Sequence, residues 1–216
     1  IFDLSAAMRG SEFKVFESVL ANGGCIKGIN VKGYAAIPRR ELDGLVSYVG
    51  QYGAKGLAWI CYTAEGIKSQ ISKFFSEDQL EAVRKASQAQ EGDLVLIIAD
   101  KPSVAVNAAG QLRLEMARRM NLIDPDKLAF AWVLDFPMFE YDEEEKRYVA
   151  TDPGRIKAKA YDMVLNGTEI GGGSIRIFQR DLQEKIFDTI GFTKEEASEK
   201  FGFLLEAFEF GTPPHG

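Results

Sequence analysis

The residues best suited to chemistry lie between Leu165 and Phe178, in Leu165-Asn-Gly-Thr-Glu-Ile-Gly-Gly-Gly-Ser-Ile-Arg-Ile-Phe178. Glu169 and Arg176 flank three consecutive glycines, Gly171, Gly172 and Gly173. Glycine weakens a strand, because it packs no side chain and loses more backbone entropy on folding. Three in succession imply a bend or a close approach of something to the backbone. Glu169 and Arg176 are seven positions apart and would face opposite sides of an unbroken strand. A one-residue bulge at Gly171–Gly173 would bring both to one side, a carboxylate and a guanidinium over a backbone floor. Such a floor could seat a charged small molecule. The plainer possibility is a glycine-rich hairpin turn with two solvated charges.

Other chemistries find little support. The chain holds one histidine, His215, in a Pro-flanked tail, to which no catalytic task is assigned. A His-rich metal site and a Ser-His-Asp triad are therefore disfavoured. There is no Gly-x-x-x-x-Gly-Lys-Ser/Thr loop and no dinucleotide fingerprint. Cys25 and Cys61 show no metal-ligand clustering and suit buried free thiols in a reduced, cytoplasmic setting. A net charge of −6 argues against a broad nucleic-acid-binding surface. Arg39-Arg40, Arg118-Arg119 and the Arg155, Lys157, Lys159 set read as solvated faces. No apolar run approaches the length of a membrane span and no basic, apolar leader opens the chain.

The 216 residues suffice for one large domain or two small ones. Helical stripes are expected over 11–22, from Pro38 to Gln51, from Ser76 or Asp78 to Ala89, and from Pro102 to Met120. Strands are expected at Cys25–Val31, Leu57–Tyr62 and Leu94–Ala99. This alternation over residues 12–125 suits a compact α+β domain. The turn Leu122-Ile-Asp-Pro-Asp-Lys127 marks a boundary. Beyond it, strands are expected at Ala129–Leu134 and Met138–Tyr141, with a charged hairpin tip at Asp142–Arg147. An antiparallel sheet, or a helix feeding it, follows from Ile156 to Phe178. Helices then cover Asp181–Ile190 and Lys194–Phe210, the second opened by a Thr193–Glu196 capping box.

Taken together, several segments resemble the bacterial-type aspartyl-tRNA synthetases, a class II family. They are Leu165–Phe178 itself, Trp132-Val-Leu-Asp-Phe-Pro-Met-Phe-Glu-Tyr-Asp142, Asp152-Pro-Gly-Arg-Ile-Lys-Ala-Lys-Ala-Tyr-Asp162, Phe201-Gly-Phe-Leu-Leu-Glu206 and Gly211-Thr-Pro-Pro-His-Gly216. Ser11-Glu-Phe-Lys-Val-Phe16 and Tyr52–Ile60 resemble the GAD domain that this family inserts into its catalytic core. The resemblance implies an α+β fold: a GAD-like insertion at 12–125, a catalytic-domain stub at 1–11, and part of an antiparallel-sheet catalytic domain at 126–216. It implies ATP-dependent activation of L-aspartate and transfer to tRNA, in a cytoplasmic homodimer without membrane attachment. Arg176 would hold the aspartate carboxylate, and Glu169 would face ATP through Mg2+. Gly171–Gly173 would form the backbone floor, and Asp135 would be structural. No tightly bound cofactor is implied beyond ATP with Mg2+.

The same resemblance implies a fragment, inactive alone, lacking an anticodon-binding barrel and the family's three signature motifs. It also implies a mobile family loop missing near 149–152, by omission or by deletion. Two alternatives stand beside it: a GAD-bearing glutamyl-tRNA amidotransferase subunit, and a free-standing module contacting tRNA or neighbouring domains. The former predicts no adenylate-type sheet around Gly171–Gly173.

Overall fold

The computed structural model describes residues 1–136 and 157–211, together with the backbone of 141–142 and 147–148. It divides into two compact units, Ile1–Asp124 and Pro125–Gly216, at the Pro-containing turn. His215, Met138, the 142–147 tip and the Val149–Asp152 segment lie wholly or mostly outside the described residues.

The first unit runs β1 (Phe2–Asp3), α1 (Ser5–Met8), α2 (Lys14–Ala21), β2 (Cys25–Val31), α3 (Arg39–Gly50), β3 (Ala58–Thr63), β4 (Gly66–Ser69), α4 (Glu77–Ser87), β5 (Leu94–Asp100) and α5 (Pro102–Arg119). Its five strands pair antiparallel in the order β1-β2-β5-β3-β4. Strand β5 explains the architecture. Its continuous apolar run leaves no polar face, so both sides must be covered. Leu94, Leu96 and Ile98 pack with Leu42, Leu45, Val49 and Leu112 of α3 and α5. Val95 and Ile97 point the other way, among Leu4, Met8, Phe16, Ile26, Ile60 and Val83. The sheet therefore carries a separate apolar core on each face.

The second core also takes in the N-terminal residues, which pack with the first unit. β1 extends its sheet, and Leu4 and Met8 are completely buried in its core. Elements this short carry little periodic signal, and tertiary packing decides their place. The hairpin strand β4 was likewise not anticipated.

Caps and turns follow local chemistry. Ser76 accepts from the Gln79 N–H at 3.2 Å, and the Gln79 side chain accepts from the Ser76 N–H at 3.0 Å, a reciprocal cap on α4. Asp93 is buried and fastens the turn before β5. It accepts from the Gly33 N–H (2.9 Å), the Gln90 N–H (2.9 Å) and the Asn30 amide (3.1 Å). Burial works to raise its carboxyl pKa, but those donors outweigh burial and hold it below the usual value. Because the folded-state pKa is the depressed one, the ionised carboxylate stabilises the fold above the unfolded carboxyl pKa. That contribution is lost as pH falls through the folded value. Asp93→Asn is expected to cost about 2 kcal/mol at neutral pH, since donors lose their acceptor. Urea unfolding at pH 7 and pH 3 checks both parts: the variant's deficit should shrink at the lower pH.

The second unit opens with β6 (Phe130–Val133), followed by β7 (Tyr141–Asp142) and β8 (Arg147–Tyr148), which pair with each other. β9 (Ala160–Leu165) and β10 (Thr168–Ser174) complete a three-stranded antiparallel sheet in the order β10-β9-β6. Helices α6 (Arg180–Thr189) and α7 (Lys194–Phe208) follow. The Thr193–Glu196 capping box forms, with reciprocal bonds of 3.2 and 2.9 Å. Phe187 stacks on Phe201 at 5.4 Å and meets Phe192 edge-on at 5.9 Å, joining α6 to α7.

Candidate active site

The hairpin turn between β9 and β10 is Asn166-Gly167, with φ of 51° and 85°. Two successive left-handed residues are what a two-residue hairpin requires, and Asn-Gly is the preferred pair. Asn166 also ties down the start of β6. Its N–H donates to the Ala129 carbonyl at 3.0 Å, its Oδ1 accepts from the Ala129 N–H at 2.9 Å, and its Nδ2 donates to the Lys127 carbonyl at 3.0 Å. The three glycines are therefore not the turn. They lie inside β10.

The register contains the expected irregularity, one position earlier than anticipated. Glu169 pairs with Val164 and Gly171 with Met163, so Ile170 is the extra residue of a bulge. From there pairing is regular through Ser174 opposite Ala160, and the Ile175 N–H donates to the Lys159 carbonyl at 2.9 Å. β10 ends at Ser174, so Arg176 lies two residues beyond the strand. Within the paired region Glu169 and Gly172 share the face of Asp162, and a strand continued past Ser174 in the same register would set Arg176 on that face too. Without the bulge at Ile170, Glu169 would lie on the opposite face.

Two glycines mark the two faces. A methyl group on Gly172 would lie 2.5 Å from Asp162 Oδ1 and 3.3 Å from Glu169 Oε1. A methyl on Gly173 would instead strike the Tyr161 phenol, 2.8 Å from its Oη. Tyr161 in turn meets Trp132 edge-on at 5.8 Å, on the aromatic side of the sheet. A methyl on Gly171 would meet nothing within 4 Å.

Asp162 was not singled out in the sequence, although it ends one of the family-like segments. The structure brings its carboxylate and that of Glu169 to the same glycine, each within 3.3 Å of where a methyl group on Gly172 would sit. Two carboxylates on one face suit a hard divalent cation, whose remaining ligands can be water and phosphate oxygens. The donor chemistry thus fits Mg2+ carried in with a nucleotide. Among the described residues no cluster of three or more His, Cys, Asp or Glu side chains forms an all-protein metal cage.

Arg176 lines a cavity of about 870 Å³ at the end of the sheet beside α6 and α7. Lys157, Lys159 and Ser174 share its polar side, while Phe178, Leu182, Ile186, Leu204 and Phe208 form an apolar wall. Glu169 does not line this cavity, so the acid and the guanidinium do not share this cleft. Neither has an ion-pair partner among the described residues. Asp135 adopts a left-handed backbone with φ of 63° and forms an exposed ion pair with Lys157 at 3.1 Å.

Comparison with known proteins places this geometry in context. The GAD domain family model matches residues 16–109, within the first unit. Over all of its length, the chain is 54% identical to an aspartate–tRNA(Asp/Asn) ligase of Heliobacterium modesticaldum. It is 51% identical to the corresponding ligase of Anoxybacillus flavithermus and 50% identical to an aspartate–tRNA ligase of Ruminiclostridium cellulolyticum. The chain matches a section of the bacterial-type aspartyl-tRNA synthetases. It spans 38 to 40% of the length of these three relatives. Their aligned stretches of 233 and 234 residues exceed the 216 here, so the relatives carry positions without a counterpart in this chain.

Proposed function

We propose that this chain supplies part of the aspartate-activating site and the insertion domain of an aspartate–tRNA ligase. In that reaction a carboxylate oxygen of L-aspartate attacks the α-phosphorus of ATP. Aspartyl-adenylate forms and pyrophosphate leaves. A terminal ribose hydroxyl of tRNA then attacks the activated carbonyl, and AMP departs. Such chemistry depends on alignment and charge neutralisation more than on a protein nucleophile. Arg176 offers a planar pair of donors to the aspartate side-chain carboxylate. Glu169 and Asp162 would hold Mg2+ beside the ATP phosphates, where the cation offsets phosphate charge. The exposed backbone around Gly172 lets the reactants lie close to the main chain.

The observation that supports this reading is the Ile170 bulge, after which Gly172 lies opposite Asp162 on the face of Glu169, with Arg176 two residues beyond the strand end. It also favours the ligase over a GAD-bearing amidotransferase subunit, for which no such sheet is expected. The two apolar cores of the first unit support an independently folded insertion module. Homodimerisation and a cytoplasmic location belong to the same proposal. Among the described residues, no helix is long and apolar enough to cross a membrane.

The deciding experiment is aspartate-dependent ATP–pyrophosphate exchange by the longer ligase that contains this chain. Exchange driven by aspartate but not by asparagine or glutamate is expected. Absence of exchange with an intact Arg176 would remove the assignment.

A further inference from the structure

Tyr161 precedes Asp162 in β9 and so sends its side chain to the opposite face of the sheet. There it pairs with Gly173, and its ring fills the room that a side chain at 173 would need. A methyl group on Gly173 would sit 2.8 Å from Oη and 3.0 Å from Cζ, well inside ordinary carbon contact distance. The Tyr161 main chain does the same to the preceding residue: its carbonyl oxygen would lie 3.1 Å from a methyl group on Gly172. One residue of β9 thus closes off two successive positions of β10.

The close fit is confined to these positions. Gly171 shares the face of Gly173, yet a methyl group there would meet nothing within 4 Å. On its other flank the Tyr161 ring is met edge-on by Trp132, at 5.8 Å. Trp132 lies opposite Met163, which makes it the diagonal cross-strand neighbour of Tyr161 and within reach of a large aromatic. The ring therefore stands between β6 and β10, on the reverse of the face that carries Asp162 and Glu169. Among the described strands β10 pairs only with β9, and residues 171–173 have no side chains with which to hold themselves in place. What presses on this run has to fix its position.

We infer that Tyr161 is a positioning residue. Its ring, packed on Gly173 and braced by Trp132, sets the seat of the glycine run on β9, and so the approach of the Asp162 and Glu169 carboxylates to Gly172. Tyr161 touches no reactant and acts through those two acids. The inference rests on the ligase reading, in which the acids hold Mg2+ beside ATP.

The test is calorimetric binding of ATP–Mg2+, without aspartate, to the longer protein that contains this chain. Stoichiometry reports the folded fraction and Kd reports the geometry of the site, so a merely structural role would lower the first and leave the second. Tyr161→Phe keeps the ring and should hold Kd within about twofold. Tyr161→Leu should raise Kd about tenfold at unchanged stoichiometry, because ligating groups lose their hold when displaced by a fraction of an ångström. Gly173→Ala should also raise Kd about tenfold, by forcing ring and strand apart. Tyr161→Leu removes the atoms that the methyl group would strike. The double variant should therefore stay near tenfold rather than reach the roughly hundredfold loss of independent sites. A parent-like Kd in Tyr161→Leu, a fall in stoichiometry alone, or additive losses in the double variant would overturn the inference and leave the ligase reading standing. A parent protein that binds no ATP–Mg2+ would remove both.

Discussion

Arg176→Lys, introduced into the longer protein proposed to be an aspartate–tRNA ligase, is expected to lower kcat/KM for aspartate in pyrophosphate exchange by about tenfold to a hundredfold. Arg176→Ala is expected to lower it further. Arginine presents two parallel donors in a fixed plane, whereas lysine presents a rotating point charge. Removing one member of a hydrogen-bonded charge pair costs about 2–5 kcal/mol, and each 1.4 kcal/mol is a factor of ten. The alanine variant should therefore lose roughly thirtyfold or more. KM for ATP should change little, because the guanidinium is assigned to the amino acid. Thermal unfolding should also be nearly unchanged, since Arg176 has no ion-pair partner among the described residues and is exposed. That combination separates recognition from folding. An unchanged kcat/KM for aspartate in the lysine variant would show that the guanidinium fork does not read the substrate.

The legible parts of the fold were those in which local chemistry and burial agree. Leu94–Ala99 is apolar throughout and forms nearly all of the central strand, Leu94–Asp100, with a core on either side. Thr193 and Glu196 cap α7 as their spacing implied, because the bonds lie within one turn. Sequence reading failed where longer-range packing decides. Leu4 and Met8 occupy too short a stretch to show a period, yet both are fully buried. The turn in the glycine-rich segment was visible as Asn166-Gly167, a pair that outranks a glycine triplet as a hairpin signal.

The candidate site was half legible. Glu169 and Arg176 stand out as charges flanking glycines, and a bulge could be inferred from their seven-residue spacing. Its position at Ile170 could not, because the register depends on the partner strand. Asp162 was overlooked, although it is the lone charge in Ala160-Tyr-Asp-Met-Val-Leu165. A carboxylate that breaks an otherwise apolar strand is a local inconsistency, and such breaks concentrate at functional positions. That signal was available. What the sequence lacked was the pairing of Asp162 with Gly172, which turns an isolated acid into the neighbour of Glu169.

That pairing makes Gly172→Ala the sharpest probe of the site. Its methyl group would need to sit 2.5 Å from Asp162 Oδ1, 3.1 Å from the Tyr161 carbonyl oxygen and 3.3 Å from Glu169 Oε1. Both carboxylates must give way, and the backbone oxygen cannot move without disturbing β9. The variant is expected to lose about a hundredfold in pyrophosphate exchange and to be destabilised by about 1–3 kcal/mol, the usual range for overpacking. Gly171→Ala is the matched control, because its methyl would enter open space and should leave stability within about 1 kcal/mol. Adding Asp162→Ala to Gly172→Ala removes the tightest contact. Part of the lost stability should return, a coupling that two independent sites would not show. Exchange should stay low, since a proposed Mg2+ ligand has gone with the clash. Urea midpoints and exchange rates for Gly171→Ala, Gly172→Ala, Asp162→Ala, the double variant and the parent check both predictions. If Gly172→Ala exchanges at the parent rate while Arg176→Ala does not, the acid pair lies off the reacting face and only the guanidinium belongs to the site.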